Sequence, residues 1–119
     1  MDHPHQAMVG ARLAGNRAGM AGHAAFEAYS ALTRMPKPRR IGSKLAAELL
    51  AENFPNTRYL SPDACARLLA SLPERGIAGG AVFDAMVAWT AVEHRATLIS
   101  LDRRAIDTYR RVGARFEIL

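Results

Sequence analysis

The stretch GGAVFDAMVAWTAVEHRATLISLDRRAIDTYRRVGARFEIL, residues 79–119, decides the fold. It opens with a glycine loop and continues into an apolar helix over 81–93 that few polar positions interrupt. Thr97-Leu98-Ile99-Ser100-Leu101 is a buried-strand pattern. A helix runs from Asp102 to about Val112, Gly113 ends it, and Phe116-Glu117-Ile118-Leu119 is a last strand. Strands alternating with helices imply an α/β fold with a parallel sheet. Two acids stand out against this pattern. Asp84 has Gly80, Ala81, Val87 and Ala88 one helical turn away, all small or apolar. A charge on such a face is paired, open to a cleft or bound to metal; the bland alternative is a first-turn acid favoured by the helix dipole. Asp102 directly follows the strand, and ligand sites of parallel α/β sheets lie at the carboxyl ends of strands. The same position also suits a routine N-cap, and one carboxylate can serve both, with one oxygen on an amide and the other on a metal.

Working back towards the N-terminus, Ser61-Pro62-Asp63 is a cap, a first-turn proline and an acid near the positive helix end, opening a helix to about Leu72. Thr57–Leu60 is a short strand candidate. Ser43 is placed to cap a helix over 44–53 that buries Leu45, Leu49 and Ala46. The segment MPKPRR, 35–40, is a proline-broken basic loop. Residues 22–34 are helical, with Phe26, Tyr29, Ala25 and Leu32 as the apolar stripe and His23, Glu27, Ser30 and Arg34 sharing another face. Residues 17–21 are ambiguous and include a possible short strand. Residues 4–14 read as a helix, with Pro4 in its first turn and Ala7, Met8, Ala11 and Ala14 at helical spacing.

The 119 residues suit one domain, and an apolar half supplies a core. No apolar run approaches the roughly 20 residues that span a bilayer, and MDHPHQAMVG does not have the form of a signal peptide. The single cysteine, Cys65, forms no intrachain disulfide, so the expected compartment is the reducing cytosol. A net charge of +5 and a pI near 10.1 favour an anionic partner, either nucleic acid or an acidic protein. Arginine dominates the basic set and its fork suits phosphate and carboxylate alike, so charge does not separate the two.

Other constellations carry less. His3, His5, His23 and His94 lack zinc-ligand spacing with cysteine. Cys65 has no catalytic context and reads as core or half-buried packing. No Gly-Lys-Ser/Thr follows the glycines of 76–80, which excludes a Walker loop. Trp89 sits among apolar residues and reads as core rather than as a base-stacking platform.

The segment 79–119 resembles the C-terminal half of a PIN domain, and in particular the VapC toxins of bacterial toxin–antitoxin pairs. HAAFEAYSALTRMP, 23–36, resembles the segment that carries their second acid, and DHPH, 2–5, the entry to their first helix. The resemblance covers essentially the whole chain. It implies a PIN-like three-layer α/β/α fold over residues 1–119 and a set of acids, usually four, that holds Mg2+ or Mn2+ and cuts RNA. Matched motif by motif, Glu27 is the second acid, Asp84 the third and Asp102 the fourth. Ser100 stands where the family often has a threonine or serine two residues before the fourth acid, and is expected to orient a metal-bound water.

The departure lies at the front. The family begins with a strand of the form hydrophobic-Asp-Thr/Ser-Ser that carries the first acid and forms the middle of the sheet, and nothing here matches it. Its loss implies two half-sheets with exposed edges. A start codon placed too late, a truncated gene and a rearranged or swapped dimer all fit this gap. The expected function is a metal-dependent endoribonuclease toxin. Asp84 and Asp102 are expected as direct ligands, with Glu27 as ligand or water-positioning base. Arg34, Lys37, Arg39 and Arg40 are placed to steer RNA, or simply to solvate a loop. Arg103 and Arg104 are better placed to meet phosphate or the tail of a cognate VapB-like antitoxin. A homodimer is expected, and no membrane partner. The rivals are a catalytically impaired PIN remnant that only binds, and a basic nucleic-acid-binding module without chemistry.

Overall fold

The computed structural model describes residues 12–13 and 20–119. Its elements are β1 (Arg12–Leu13), α1 (Gly22–Arg34), α2 (Ser43–Asn53), α3 (Pro62–Arg75), α4 (Ala81–Glu93), β2 (Thr97–Ser100), a 3-10 turn (Arg103–Ala105), α5 (Ile106–Val112) and β3 (Arg115–Ile118). Among the described residues, no helix is long and apolar enough to cross a membrane.

The last third of the chain follows its pattern, except that the helix expected from Asp102 opens as a 3-10 turn and is α-helical only over Ile106–Val112. β2 and β3 pair in parallel, Thr97 against Arg115 through Ser100 against Ile118. The Leu119 amide donates to the Ser100 carbonyl at 2.9 Å and extends the ladder. α5, behind the 3-10 turn, makes the crossover between them, and Gly113 ends it at φ 81°, where a side chain is strained.

α4 is the hub, packed against α1, α3, α5 and β2. Its alanines 85, 88 and 91 are fully buried. Small residues let a neighbouring helix come close, and Ala24 and Ala28 of α1 are buried in the same core cluster as these alanines. That reverses one expectation. The buried stripe of α1 is Ala24, Ala28, Ala31 and Leu32, while Phe26 is 69% exposed and Tyr29 also faces outward. Close approach between alanine faces outweighs burial of the larger side chains, which point the other way around the helix.

α2 departs in the same manner. Ala46 is its buried residue, Leu45 is exposed and Leu49 half-buried. Gly42 holds the cap position and Ser43 is already helical, with no side-chain cap. α3 starts as its sequence predicts: the Ser61 hydroxyl accepts from the Ala64 amide at 3.1 Å, with Pro62 next in line. It runs one turn past Leu72 to Arg75 and ends on Gly76 at φ 68°. Cys65 lies on its exposed face rather than in the core.

The front of the chain differs most. Arg12–Leu13 is a strand where a helix was expected, paired antiparallel with Leu98 and Ile99 of β2. The remaining residues of that expected helix lie outside the described residues, as do 17–19. The strand follows from the unpaired amides and carbonyls that an uncovered β2 presents. The sheet, of order β1-β2-β3, is therefore mixed rather than wholly parallel. The strand expected over Thr57–Leu60 reduces to one parallel bridge, Ala21 with Arg58. Two bonds hold it: Gly22 N to the Arg58 carbonyl at 2.6 Å and Arg58 N to the Met20 carbonyl at 2.9 Å.

Candidate active site

The three expected acids arrive from three elements: Glu27 from the middle of α1, Asp84 from the first turn of α4 and Asp102 from the turn after β2. They are near enough to act on one another. Burial, then the charge of Asp102, then that of Glu27 push the Asp84 carboxyl from 3.8 up to about 6, against the opposing pull of Arg104. Burial comes from the apolar helix face noted in the sequence, and the like charges from the meeting of the elements.

Asp102 takes the cap position expected of a strand-end acid. Its Oδ1 caps the 3-10 turn by accepting from the Arg104 amide at 3.0 Å. The same oxygen lies 3.6 Å from the Arg104 Nε. Ser100 stands behind it, fully buried. The Asp102 amide donates to the Ser100 Oγ at 2.9 Å, and that hydroxyl pairs with the Tyr109 OH at 3.1 Å. Tyr109, from α5, was not anticipated as part of the site. Burial above all pushes its hydroxyl up to about 12; the bond to Ser100 opposes this, and the Asp84 and Asp102 charges add to it. Its signal in the sequence was faint: an aromatic two turns beyond Asp102, equally consistent with plain core packing.

Glu27 is about half exposed, and its Oε1 lies 3.4 Å from the His23 Nε2 one turn back on α1. His23 in turn stacks on Phe83, with ring centroids 5.0 Å apart and planes 6° from parallel. Neither aromatic was assigned a part by the sequence. Arg103 is exposed on the 3-10 turn. Arg34, Arg39 and Arg40 are exposed at and beyond the C-terminal end of α1, where the Arg40 Nε donates to the Met35 carbonyl at 3.0 Å. None of these four is among the charges that shift Asp84. The structure thus gathers Glu27, Asp84, Asp102 and Arg104, with Ser100 behind Asp102.

The donors are oxygens, the kind a hard divalent cation takes, and the raised Asp84 is the strain a cation relieves. Among the described residues, no three or more His, Cys, Asp or Glu side chains stand closely enough to hold a metal ion as they are. The donor set fits in kind, and its members are drawn up rather than closed.

A PIN-domain family model matches residues 2–111, which include all three acids. The chain is 44% identical over 111 residues to Ribonuclease VapC27 of Mycobacterium tuberculosis strain H37Rv, covering 93% of this chain and 81% of that protein. The chain is a PIN-domain protein of the VapC family. Ribonuclease VapC40, from two strains of the same species, is 40% identical over 99 residues, 82% of this chain and 73% of that protein. No solved structure matches significantly. Membership gives the mixed α/β fold of this VapC-family chain its class, and the Glu27–Asp84–Asp102 cluster is where three separate elements of that PIN domain meet.

Proposed function

We propose that this chain is a metal-dependent endoribonuclease, the toxin of a toxin–antitoxin pair, and that it hydrolyses RNA phosphodiesters at the Glu27–Asp84–Asp102 cluster. The observation that carries the reading is Asp84: a carboxyl on an apolar helix face, pushed up to about 6 by burial and by two neighbouring acids. Such strain is characteristic of functional sites. The VapC ribonucleases to which the chain is similar agree with it.

In this reading Asp84 and Asp102 hold Mg2+ or Mn2+, and Glu27 serves as a further ligand or positions the attacking water. The bound ion supplies a more acidic water and neutralises charge on the phosphate. The chain's own side chains do the rest. Ser100 works through Asp102, fixing its backbone amide, because a fully buried hydroxyl already engaged by Asp102 and Tyr109 is a positioning group. Arg104, drawn to the cluster by Asp102, faces the scissile phosphate with Arg103 beside it. Arg34, Arg39 and Arg40 attract the RNA backbone from further off. The same cations suit the acidic tail of a VapB-like antitoxin. A homodimer in the cytosol completes the proposal.

One observation favours the rival, a PIN remnant that binds without cutting: among the described residues the acids are not gathered closely enough to hold a metal ion. Single-turnover cleavage of a labelled RNA pool separates the two. The nuclease reading expects cleavage with Mg2+ or Mn2+, none with EDTA, and at least about 100-fold slower cleavage from Asp84→Asn with either metal. Binding without cleavage at any metal concentration supports the remnant.

A further inference from the structure

Two aromatic pairs in this molecule look alike in distance and differ in everything else. Tyr109 and Phe116 meet at 5.5 Å with planes tilted by 57°, and Tyr109 is buried. That is a packing contact in the core, in the tilted arrangement aromatic rings favour. His23 and Phe83 meet at 5.0 Å with planes 6° from parallel, and Phe83 is 50% exposed. A ring that served only to pin α1 against α4 would be covered by them. Phe83 instead keeps half its surface in water at the rim of the charged cluster, as the immediate neighbour of Asp84.

We infer that the His23–Phe83 stack is a shelf for one unpaired nucleobase of the RNA, which extends the parallel stack as a third ring next to the reacting phosphate. The inference rests on the nuclease reading for its substrate. Three features carry it. The stack is parallel, so a flat base continues it with the same face-to-face geometry. It is partnered from behind, because the His23 Nε2 lies 3.4 Å from the Glu27 Oε1 one turn along α1. It is joined to the cluster through both rings: Phe83 precedes Asp84 in α4, and His23 lies one turn from Glu27 on α1. A single-stranded RNA seated on the shelf therefore presents its backbone towards the acids and Arg104. Stacking accepts every base, so the shelf positions the strand more than it selects a sequence.

The test measures binding apart from cleavage. Fluorescence anisotropy in EDTA follows a labelled decanucleotide RNA, and a set of the same RNA with one abasic ribose placed at each position in turn. Phe83→Leu keeps apolar bulk and loses the ring face; it is expected to weaken binding about tenfold, the order found when one stacked base is lost. One abasic position should weaken the wild type equally and cause no further loss in Phe83→Leu. Phe83→Trp should bind as the wild type does, with its added indole fluorescence quenched by RNA; it also guards against misfolding of the leucine variant. The shelf is overturned if Phe83→Leu binds intact and abasic RNA like the wild type, if the loss is the same for every abasic RNA, or if the wild type binds no RNA. Binding that responds to Phe83 as described, without cleavage in either metal, sinks the nuclease reading and leaves the shelf standing.

Discussion

Helix α4 carries one acid at each end, and the two are treated in opposite ways. At its last residue, Glu93 accepts from the Ser61 hydroxyl and from the Ser61 amide at 2.9 Å. Those two bonds hold its carboxyl below the usual carboxylate range. The charge is welcome there, because it ties the end of α4 to the start of α3. In the first turn, Asp84 is pushed up to about 6 by burial and by two other acids. A fold that satisfies one carboxylate completely and crowds another has assigned them different work. Glu93 serves stability, and the crowding of Asp84 costs stability, as expected of the chemical role proposed for it.

Neutralising each end should break this contrast most sharply. Asp84→Asn is expected to reduce RNA cleavage by at least about 100-fold, the scale lost with a central electrostatic group. Glu93→Gln should leave the cleavage rate within about twofold of the wild type. Single-turnover rates at saturating metal check both, and comparable losses from the two variants would erase the distinction. The next test asks whether the acidic end is held from the strand. Ser100→Ala removes the acceptor for the Asp102 amide, and about tenfold slower cleavage is expected, a loss of one buried hydrogen bond. Tyr109→Phe keeps that acceptor and should fall between the wild type and Ser100→Ala.

Stability effects are smaller and of opposite sign at the two ends. Glu93→Gln keeps one acceptor oxygen and should cost about 1 kcal/mol in urea unfolding at pH 7, the scale of one lost charge-assisted interhelical hydrogen bond. Because its folded value is depressed, the contribution is complete above the ordinary value of 4.5 and disappears as pH falls through the folded one. Asp84 runs the other way. Its folded value lies above the ordinary 3.8, so between that and about 6 the folded state keeps a proton that the unfolded state releases. Stability therefore falls as pH rises through this window, and the penalty is complete above about 6. Asp84→Asn should raise stability by about 1 kcal/mol at pH 8, a discounted figure because the group is partly exposed, and by nothing at pH 3.5. Thermal melts of both proteins at the two pH values read this difference; a stabilisation that persists at pH 3.5 would count against a charge effect.

The two ends of α4 were also unequally legible. Asp84 announced itself, since a charge among Gly80, Ala81, Val87 and Ala88 conflicts with its own neighbours. Glu93 did not, because its partner Ser61 lies 32 residues away. Ser61 was readable only as a local cap, and it is that as well. The same limit explains α1. Its helix could be read from periodicity, but both Ala24–Ala28–Ala31 and Phe26–Tyr29 make apolar faces. Only the alanine face of α4 decides which turns inward.

By itself, the sequence determined most of the C-terminal third and the start of α3, and marked Asp84 as out of place, because each depends on residues within a few positions of one another; Glu27 was marked only by the family resemblance. The tertiary structure decided the antiparallel placement of Arg12–Leu13 on β2, the reduction of the 57–60 strand to a bridge, and the buried faces of α1 and α2. It also decided that Tyr109 backs Ser100 and that His23 lies against Phe83. These follow from packing between distant segments, where a face or an edge takes the partner that three-dimensional proximity supplies.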